Sequence, residues 1–483
     1  GVRGQAPPPV SEIKPSGPSL FPGAAQWRHA CAWHHPSMPC HAMACQRARM
    51  HVRACVRGTV TDTDHRRGGA RACRYGGAVF RSHLFGSATV VTADAEVNRF
   101  VLQSDARSFV PWYPRSLTEL MGKSSILLIN GSLQRRVHGL VGAFFKSPQL
   151  KAQVTADMQR RLAPALASWR HQGPGARLRI QDHAKTIVFP ILVRGLIGLE
   201  AGPEMQQLKQ QFQEFIVGLM SLPIKLPGTR LYRSLQAKKR MARVIQRIIQ
   251  EKRRRRALDG GGGPRDAIDV LMGDGSEELT DELISDNMID FMIPAEDSVP
   301  VLITLAVKFL SECPLALQQL EEENMELKMR KTDLGETLQW TDYMSLSFTQ
   351  HVITETLRIG NIISGIMRKA VRDVEVKGHL IPKGWRVFMY FRSVHLDDML
   401  YEDPCKFNPW RWKEKDMSTS SFTPFGGGQR LCPGLDLARL EASIFLHHLV
   451  TSFRYVCMHA WITTRRSRSR SRPCMHANIT PPG

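Results

Sequence analysis

The sequence lacks the marks of several function classes. Its 483 residues contain no run of 18 or more apolar residues, so no single membrane-spanning helix can be read from them. The Gly260–Gly263 run is followed by Pro264 and Arg265, without the lysine and hydroxyl of a phosphate loop, and reads as linker. No flavin or nicotinamide module is visible. There are ten cysteines, but none falls in a paired C-x-x-C knuckle, which argues against a zinc ribbon. Acidic residues are scarce, 44 against 66 Lys and Arg.

That imbalance is concentrated at the ends. Residues 1–74 carry eleven Lys/Arg against three acids, and residues 456–483 carry five arginines against none, so the net charge of +22 says little about the body. Transit peptides are rich in Arg and poor in acids, but no tidy amphipathic helix appears in 1–74, and these residues read as an atypical, disordered or non-native segment. The stretch Arg465–Arg472 alternates Arg and Ser, as RNA-binding tails do. Nothing else in the chain supports nucleic acid. Glu251–Arg256 is read as a solvated helix end.

What is present centres on Cys432, in Phe425-Gly-Gly-Gly-Gln-Arg-Leu-Cys-Pro-Gly434. A three-glycine loop leads into a lone cysteine, and an apolar-sided helix is expected directly after it, opened by Pro433 and Gly434. A sulfur at the positive end of that helix is expected to favour thiolate. The glycines are expected to admit a flat cofactor close to the backbone, and a thiolate held this way can ligate haem iron. Alone, Cys432 reads equally well as a buried structural cysteine. Two other motifs decide against that: Glu355-Thr-Leu-Arg358, an i, i+3 pair on a helical stretch, and Phe407-Asn-Pro-Trp-Arg411-Trp412.

In this order the three motifs resemble those of the cytochrome P-450 family, haem-thiolate monooxygenases, over about Tyr75 to Arg454. The resemblance implies a mainly α fold with small β-sheets, a haem domain at 75–455, and haem b held between a long oxygen-binding helix and the Cys-loop helix. It implies that Cys432 is the axial metal ligand and that Phe425 and Gly434 belong to the cofactor loop. Arg430 and Arg368 would meet the haem propionates. Glu355, Arg358 and Arg411 would form a buried ion triad. Gln134 and His138 stand where the family has a Trp/Arg propionate pair, and His138 is carried over as a cofactor residue. In Phe291-Met-Ile-Pro-Ala-Glu-Asp-Ser298, Ala295 replaces the family's groove glycine, Asp297 is the proton-relay acid and Ser298 replaces threonine. Pro294 is expected to kink that helix. Asp297 reads alternatively as an N-cap.

The resemblance sharpens to plant brassinosteroid C-23 hydroxylases on Phe109–Leu117, Gly122–Asn130, Ile293–Pro300 and Trp340–Met344. It implies a sterol substrate, dioxygen, an NADPH-cytochrome reductase as electron donor and the cytosolic face of the endoplasmic reticulum membrane. No disulfide framework is expected on that face. Phe109, Trp112, Tyr113, Met121 and Ile126 are expected to roof the pocket, and Met292, Ile293, Ile362 and Ile363 to wall it. Hydroxylation at C-22 or C-6 is the alternative within the class. A catalytically impaired haem-binding product is the alternative outside it, because the chain is expected to lose its pocket-closing strands after Arg454. Helical periodicity covers Leu150–Asp290 and Val301–Arg358, and strand-like pieces lie at Ala78–Thr92 and Val371–Phe391.

Overall fold

The computed structural model describes residues 78–104, 106–171, 177–259, 263–273, 279–413, 421–455 and 477–480. The atypical segment at 1–74 and the Arg/Ser stretch at 465–472 therefore lie outside the described residues.

Helices dominate, wrapped around one interior element. Two helical segments, Asp281–Glu296 and Ser298–Ser311, run on from each other as a central helix interrupted at Asp297. Thr280 caps its start by accepting from the Leu283 N–H at 3.2 Å. Acids in the first turn, Asp281 and Glu282, suit the positive end of the helix dipole. From Leu283 to Ile293 every residue is buried, as in a helix enclosed by others, and the stretch includes the polar Ser285, Asp286, Asn287 and Asp290. The helices Ile180–Ile197, Arg230–Asp259 and Leu435–Val450 pack around it, and the long helix Pro148–His171 packs in turn on the first and last of these. No single helix among the described residues is long and apolar enough to cross a membrane.

The sheets are small. Strands β1 (Val79–Leu84), β2 (Ser87–Thr92), β3 (Phe109–Pro111), β5 (Ile366–Ala370) and β8 (Arg386–Met389) form one sheet in the order β1-β2-β8-β5-β3. Only β2 and β8 pair in parallel. β6 (Val374–Val376) and β7 (His379–Ile381) make a hairpin. Its turn at Lys377 and Gly378 has positive φ at both residues. The third sheet places β10 (Ala477–Thr480) between β4 (Arg177–Leu178) and β9 (Arg454–Tyr455). This corrects the expectation that the fold runs out of strands after Arg454: a short segment returns to pair with both. Alternation over three or four residues is too brief a signal to read from sequence.

Several titratable groups are locked inside. Burial pulls His395 and His447 down to about 3 and His448 to about 4, aided by the charges of Arg358 and Arg392 for the first and of Lys328 for the other two. Burial also pushes Asp290 and Glu441 up to about 8. In the unfolded chain these histidines take protons below about 6.5 and the acids lose theirs above about 4. Stability contributed by the histidines is therefore present above pH 6.5 and lost as pH falls toward 3. Stability contributed by the acids is present below pH 4 and lost as pH rises toward 8. The unfolding free energy is expected to peak near pH 6.5 and decline on both sides, as urea titrations from pH 5 to 8 will read. Asp290→Asn combined with Glu441→Gln is expected to flatten the alkaline arm; an unchanged arm would refute the assignment.

Candidate active site

The Ser347–Gly360 helix carries Glu355 and Arg358, both fully buried. Its N-terminus is held by Glu323, whose carboxylate accepts from the Phe348 and Thr349 N–H groups at 2.7 and 2.8 Å. Glu355 accepts five hydrogen bonds: Arg358 Nε and Nη2, Arg411 Nε, the Asn408 N–H and Trp412 Nε1, at 2.7 to 3.1 Å. The structure thus brings Glu355, Arg358 and Arg411 together on one carboxylate. Arg358 Nη1 also donates to the His395 and Pro404 carbonyls at 2.7 Å, and Arg411 Nη1 donates to the Glu402 carbonyl at 2.9 Å.

From this knot a chain of bonds leads to the cysteine loop. Asn361 ends the helix in the left-handed region (φ 44°), which asparagine tolerates better than most residues. Its side chain donates to the Arg358 carbonyl at 2.6 Å and accepts from His395 Nδ1 at 2.8 Å. His395 Nε2 accepts the Thr423 N–H at 3.0 Å, which fixes the ring as the Nδ1–H tautomer. Thr423 in turn accepts the Gly426 N–H, and the Cys432 N–H closes the loop on the Phe425 carbonyl at 3.1 Å. His395 was not legible as a site residue: a lone histidine in Phe391–His395 carries no motif.

Cys432 lies two residues before Gly434, the N-cap of the Leu435–Val450 helix. The helix therefore begins later than the sequence suggested, with Pro433 outside it, and the dipole acts weakly at that remove. Burial pushes the Cys432 thiol up, opposed by a hydrogen bond from the Gly434 N–H. The expected thiolate preference is thus not supplied by the protein alone; burial outweighs the helix end. A cation at sulfur would reverse the balance, so the donor set fits a thiolate-ligated metal. The glycines also serve the chain itself: a Cβ at Gly428 would strike the Leu102 carbonyl and one at Gly427 would press on the Leu102 side chain, so both let the Ala95–Gln103 helix approach.

The Gly131–Lys146 helix lies against the loop. His138 Nε2 hydrogen-bonds the Leu431 carbonyl at 2.7 Å, and Gln134 Nε2 donates to the Gln429 carbonyl at 3.4 Å. Residues at i and i+4 share a face, so both brace the backbone next to Cys432. Phe145, on the same helix, packs edge-on to Phe291 at 5.9 Å and lies under Gly434, joining the loop to the central helix. Arg430 donates to the Ile126 and Ile129 carbonyls at 3.0 and 2.7 Å and to Asn130 Oδ1 at 2.9 Å. Arg368 sits on β5, 3% exposed, with Nη1 donating to the Met367 carbonyl.

On the central helix one residue breaks the pattern of burial: Pro294 is exposed although its neighbours on both sides are buried. Ser298, Val301 and Leu305 follow it at four, seven and eleven residues and are half-buried. That spacing is one helical face, the side of the central helix left less than fully packed. Ala295 has no exposed surface, so the open position falls on Pro294 instead. Pro294 stays helical, and the interruption comes at Asp297 (φ −118°, ψ −50°), 3% exposed and without a side-chain capping bond. Among the expected pocket residues, Trp112, Tyr113, Ile362 and Ile363 are half-buried. Phe109, Met121 and Met292 are at most 1% exposed, and Ile293 and Ile126 are 4% and 7% exposed. These five are core packing: Phe109, for instance, faces the sheet core from β3, opposite Ala370.

Removing the triad's acid leaves two guanidiniums buried without it. Breaking a buried pair in this way costs about 3–5 kcal/mol. Glu355→Ala is expected to lose most cooperative unfolding signal, whereas exposed Glu326→Ala is expected to stay near wild type; equal stability of the two variants by urea denaturation would sink the claim.

Comparison with known proteins gives one answer. The family model for Cytochrome P450 matches residues 69–465. Cytochrome P450 90D2 of Oryza sativa subsp. japonica is 85% identical over 382 residues, covering 79% of this chain and 77% of the relative. The 3-epi-6-deoxocathasterone 23-monooxygenase CYP90D1 of Arabidopsis thaliana is 61% identical over 382 residues with the same coverage. Among solved structures, retinoic acid-bound cyanobacterial CYP120A1 superposes with a TM-score of 0.68 at 23% identity, over 81% of this chain and 88% of that one. With motif order, fold and relatives in agreement, the chain belongs to the cytochrome P450 family.

Proposed function

We propose that this chain hydroxylates the side chain of a plant steroid, at C-23 of a brassinosteroid precursor, using dioxygen and electrons from a separate NADPH-cytochrome reductase. The observation that carries the reading is 61% identity, across 382 residues, to a relative named for 23-monooxygenation of such a steroid. The apolar, half-buried Trp112, Tyr113, Ile362 and Ile363 suit a ligand of that kind.

Cys432 would be the axial ligand of haem b, its thiolate stabilised by the metal charge and by the Gly434 N–H. When bound, the haem supplies dioxygen activation, which thiolate donation favours. The residues around it have separate tasks. His138 and Gln134 hold the loop that presents the sulfur. Phe425 closes that loop, and Arg430 ties it to the 126–130 turn. Arg368 would meet an acidic substituent of the cofactor. Asp297 and Ser298, where the central helix is interrupted, would pass protons toward the open face below Pro294. The exposed Leu222, Ile224 and Leu226 beside Lys225 form an apolar projection suited to a membrane surface, consistent with an endoplasmic reticulum location.

The reduced carbon monoxide difference spectrum is expected to show the strongly red-shifted Soret band of thiolate ligation. Cys432→Ser should abolish it, and a surviving band would refute the ligand assignment. Asp297→Asn is expected to lower hydroxylated product by roughly 10²-fold or more, while reductase-driven oxygen uptake continues and peroxide accumulates. Product mass spectrometry locates the new hydroxyl; one at C-22 or C-6 would overturn the C-23 assignment.

A further inference from the structure

The central helix carries a buried acid that the proposed mechanism does not use. Asp290 is 6% exposed and stands one turn before Pro294, on the same side of the helix. Ser125 Oγ donates to its Oδ2. Its Oδ1 is buried and has no hydrogen-bond partner among the described residues. Several buried acids here are matched to cations, Asp286 to Lys238 at 2.7 Å, Glu296 to Lys185 at 2.9 Å, Asp157 to Arg194 at 2.8 Å and Glu355 to Arg358 at 2.7 Å, whereas Glu441 on the Leu435–Val450 helix shares with Asp290 a buried oxygen unbonded among the described residues. The cation whose charge acts on it, Lys238, is already engaged by Asp286 and the Met121 carbonyl.

Leaving one carboxyl oxygen buried and unbonded costs free energy, so a partner from outside the chain is the simplest account of its retention. The surroundings describe that partner. Asn287 pins the facing turn, accepting the Ile126 N–H at 2.7 Å and donating to the Ser124 carbonyl at 3.0 Å. Beyond it Leu127, Leu128 and Ile129 are half-buried. Pro294 can offer no N–H to the Asp290 carbonyl four residues back, which adds a second acceptor on this stretch. The site is thus one polar point in an apolar wall. Eight residues separate Asp290 from Ser298, roughly 12 Å along the axis at 1.5 Å per residue. Burial keeps the carboxyl protonated to about pH 8, so at neutral pH it can donate to an oxygen as well as accept from one.

We propose that Asp290, positioned by Ser125, is the polar anchor for the ring-end oxygen of the steroid, fixing how far its side chain reaches toward the reaction site. This rests on the steroid reading above and deepens it: Asp290 sets specificity and register, and it takes no part in the chemistry.

The test uses the haem-loaded full chain and two probes, a C27 3-hydroxysteroid and its 3-deoxy counterpart. Dissociation constants are read by Soret titration and by equilibrium binding of labelled steroid. The wild-type chain is expected to prefer the hydroxylated probe by roughly 10- to 100-fold. Asp290→Leu should bring that ratio close to one without weakening the 3-deoxy probe, and Asp290→Asn should restore part of it. If the leucine variant fails to load haem, Asp290→Ala, which adds no bulk, reads the same ratio. A wild-type ratio in the leucine or alanine variant overturns the inference, as does a wild-type chain indifferent to the hydroxyl. A wild-type chain that binds neither probe overturns the steroid reading itself, and the anchor with it.

Discussion

One carboxylate organises the cysteine side of this molecule. Glu355 takes bonds from two guanidiniums, an indole and a backbone N–H, and so unites a helix with the 402–412 segment, which has little regular structure of its own. Burying these charges is expensive, and the attraction within the group repays it only because the geometry is nearly saturated. The arrangement therefore behaves as a unit that is either complete or strongly destabilising. Arg358 extends its reach by binding the His395 carbonyl, and His395 passes the constraint on through Asn361 and Thr423. The position of Cys432 is thus set by polar bonds from below and by Phe145 and His138 from the side.

The thiol illustrates why such positioning matters. A helix end near a cysteine suggests a stabilised anion, but Cys432 stands outside the first helical turn and inside the protein. Desolvation then dominates. Within the chain alone burial favours the thiol, and a cation at the sulfur would shift the balance toward thiolate. Metal sites commonly link deprotonation to binding in this way.

Motifs with internal chemistry were legible in the sequence. Glu355, Arg358 and Arg411 carry complementary charges, and their spacing in helix and loop leaves few other uses for them. The fold class followed from the order of motifs and from helical periodicity. Residues whose importance is relational were not legible. His395 matters only because Asn361 and Thr423 meet it, and its own neighbours in sequence say nothing of that. Phe109, Met121 and Met292 look like pocket residues by type, but burial is decided by the face on which each falls. The strand at Ala477–Thr480 is too short for periodicity and sits in a segment whose composition points elsewhere.

Pro294 and Ala295 show how a one-residue offset redistributes roles. A small residue at 295 suggests a groove there, yet the alanine is sealed in the core and proline meets the open space. Proline suits that place because it withdraws an N–H from the ladder without adding a side chain that could fill the cavity. The helix runs on through it, and the interruption comes three residues later at Asp297. The interruption thus lies beside the carboxyl and hydroxyl of Asp297 and Ser298, while Asp290 sits on the other side of the same proline. A single imino acid therefore separates the buried acid of this helix from the carboxyl and hydroxyl at its interruption.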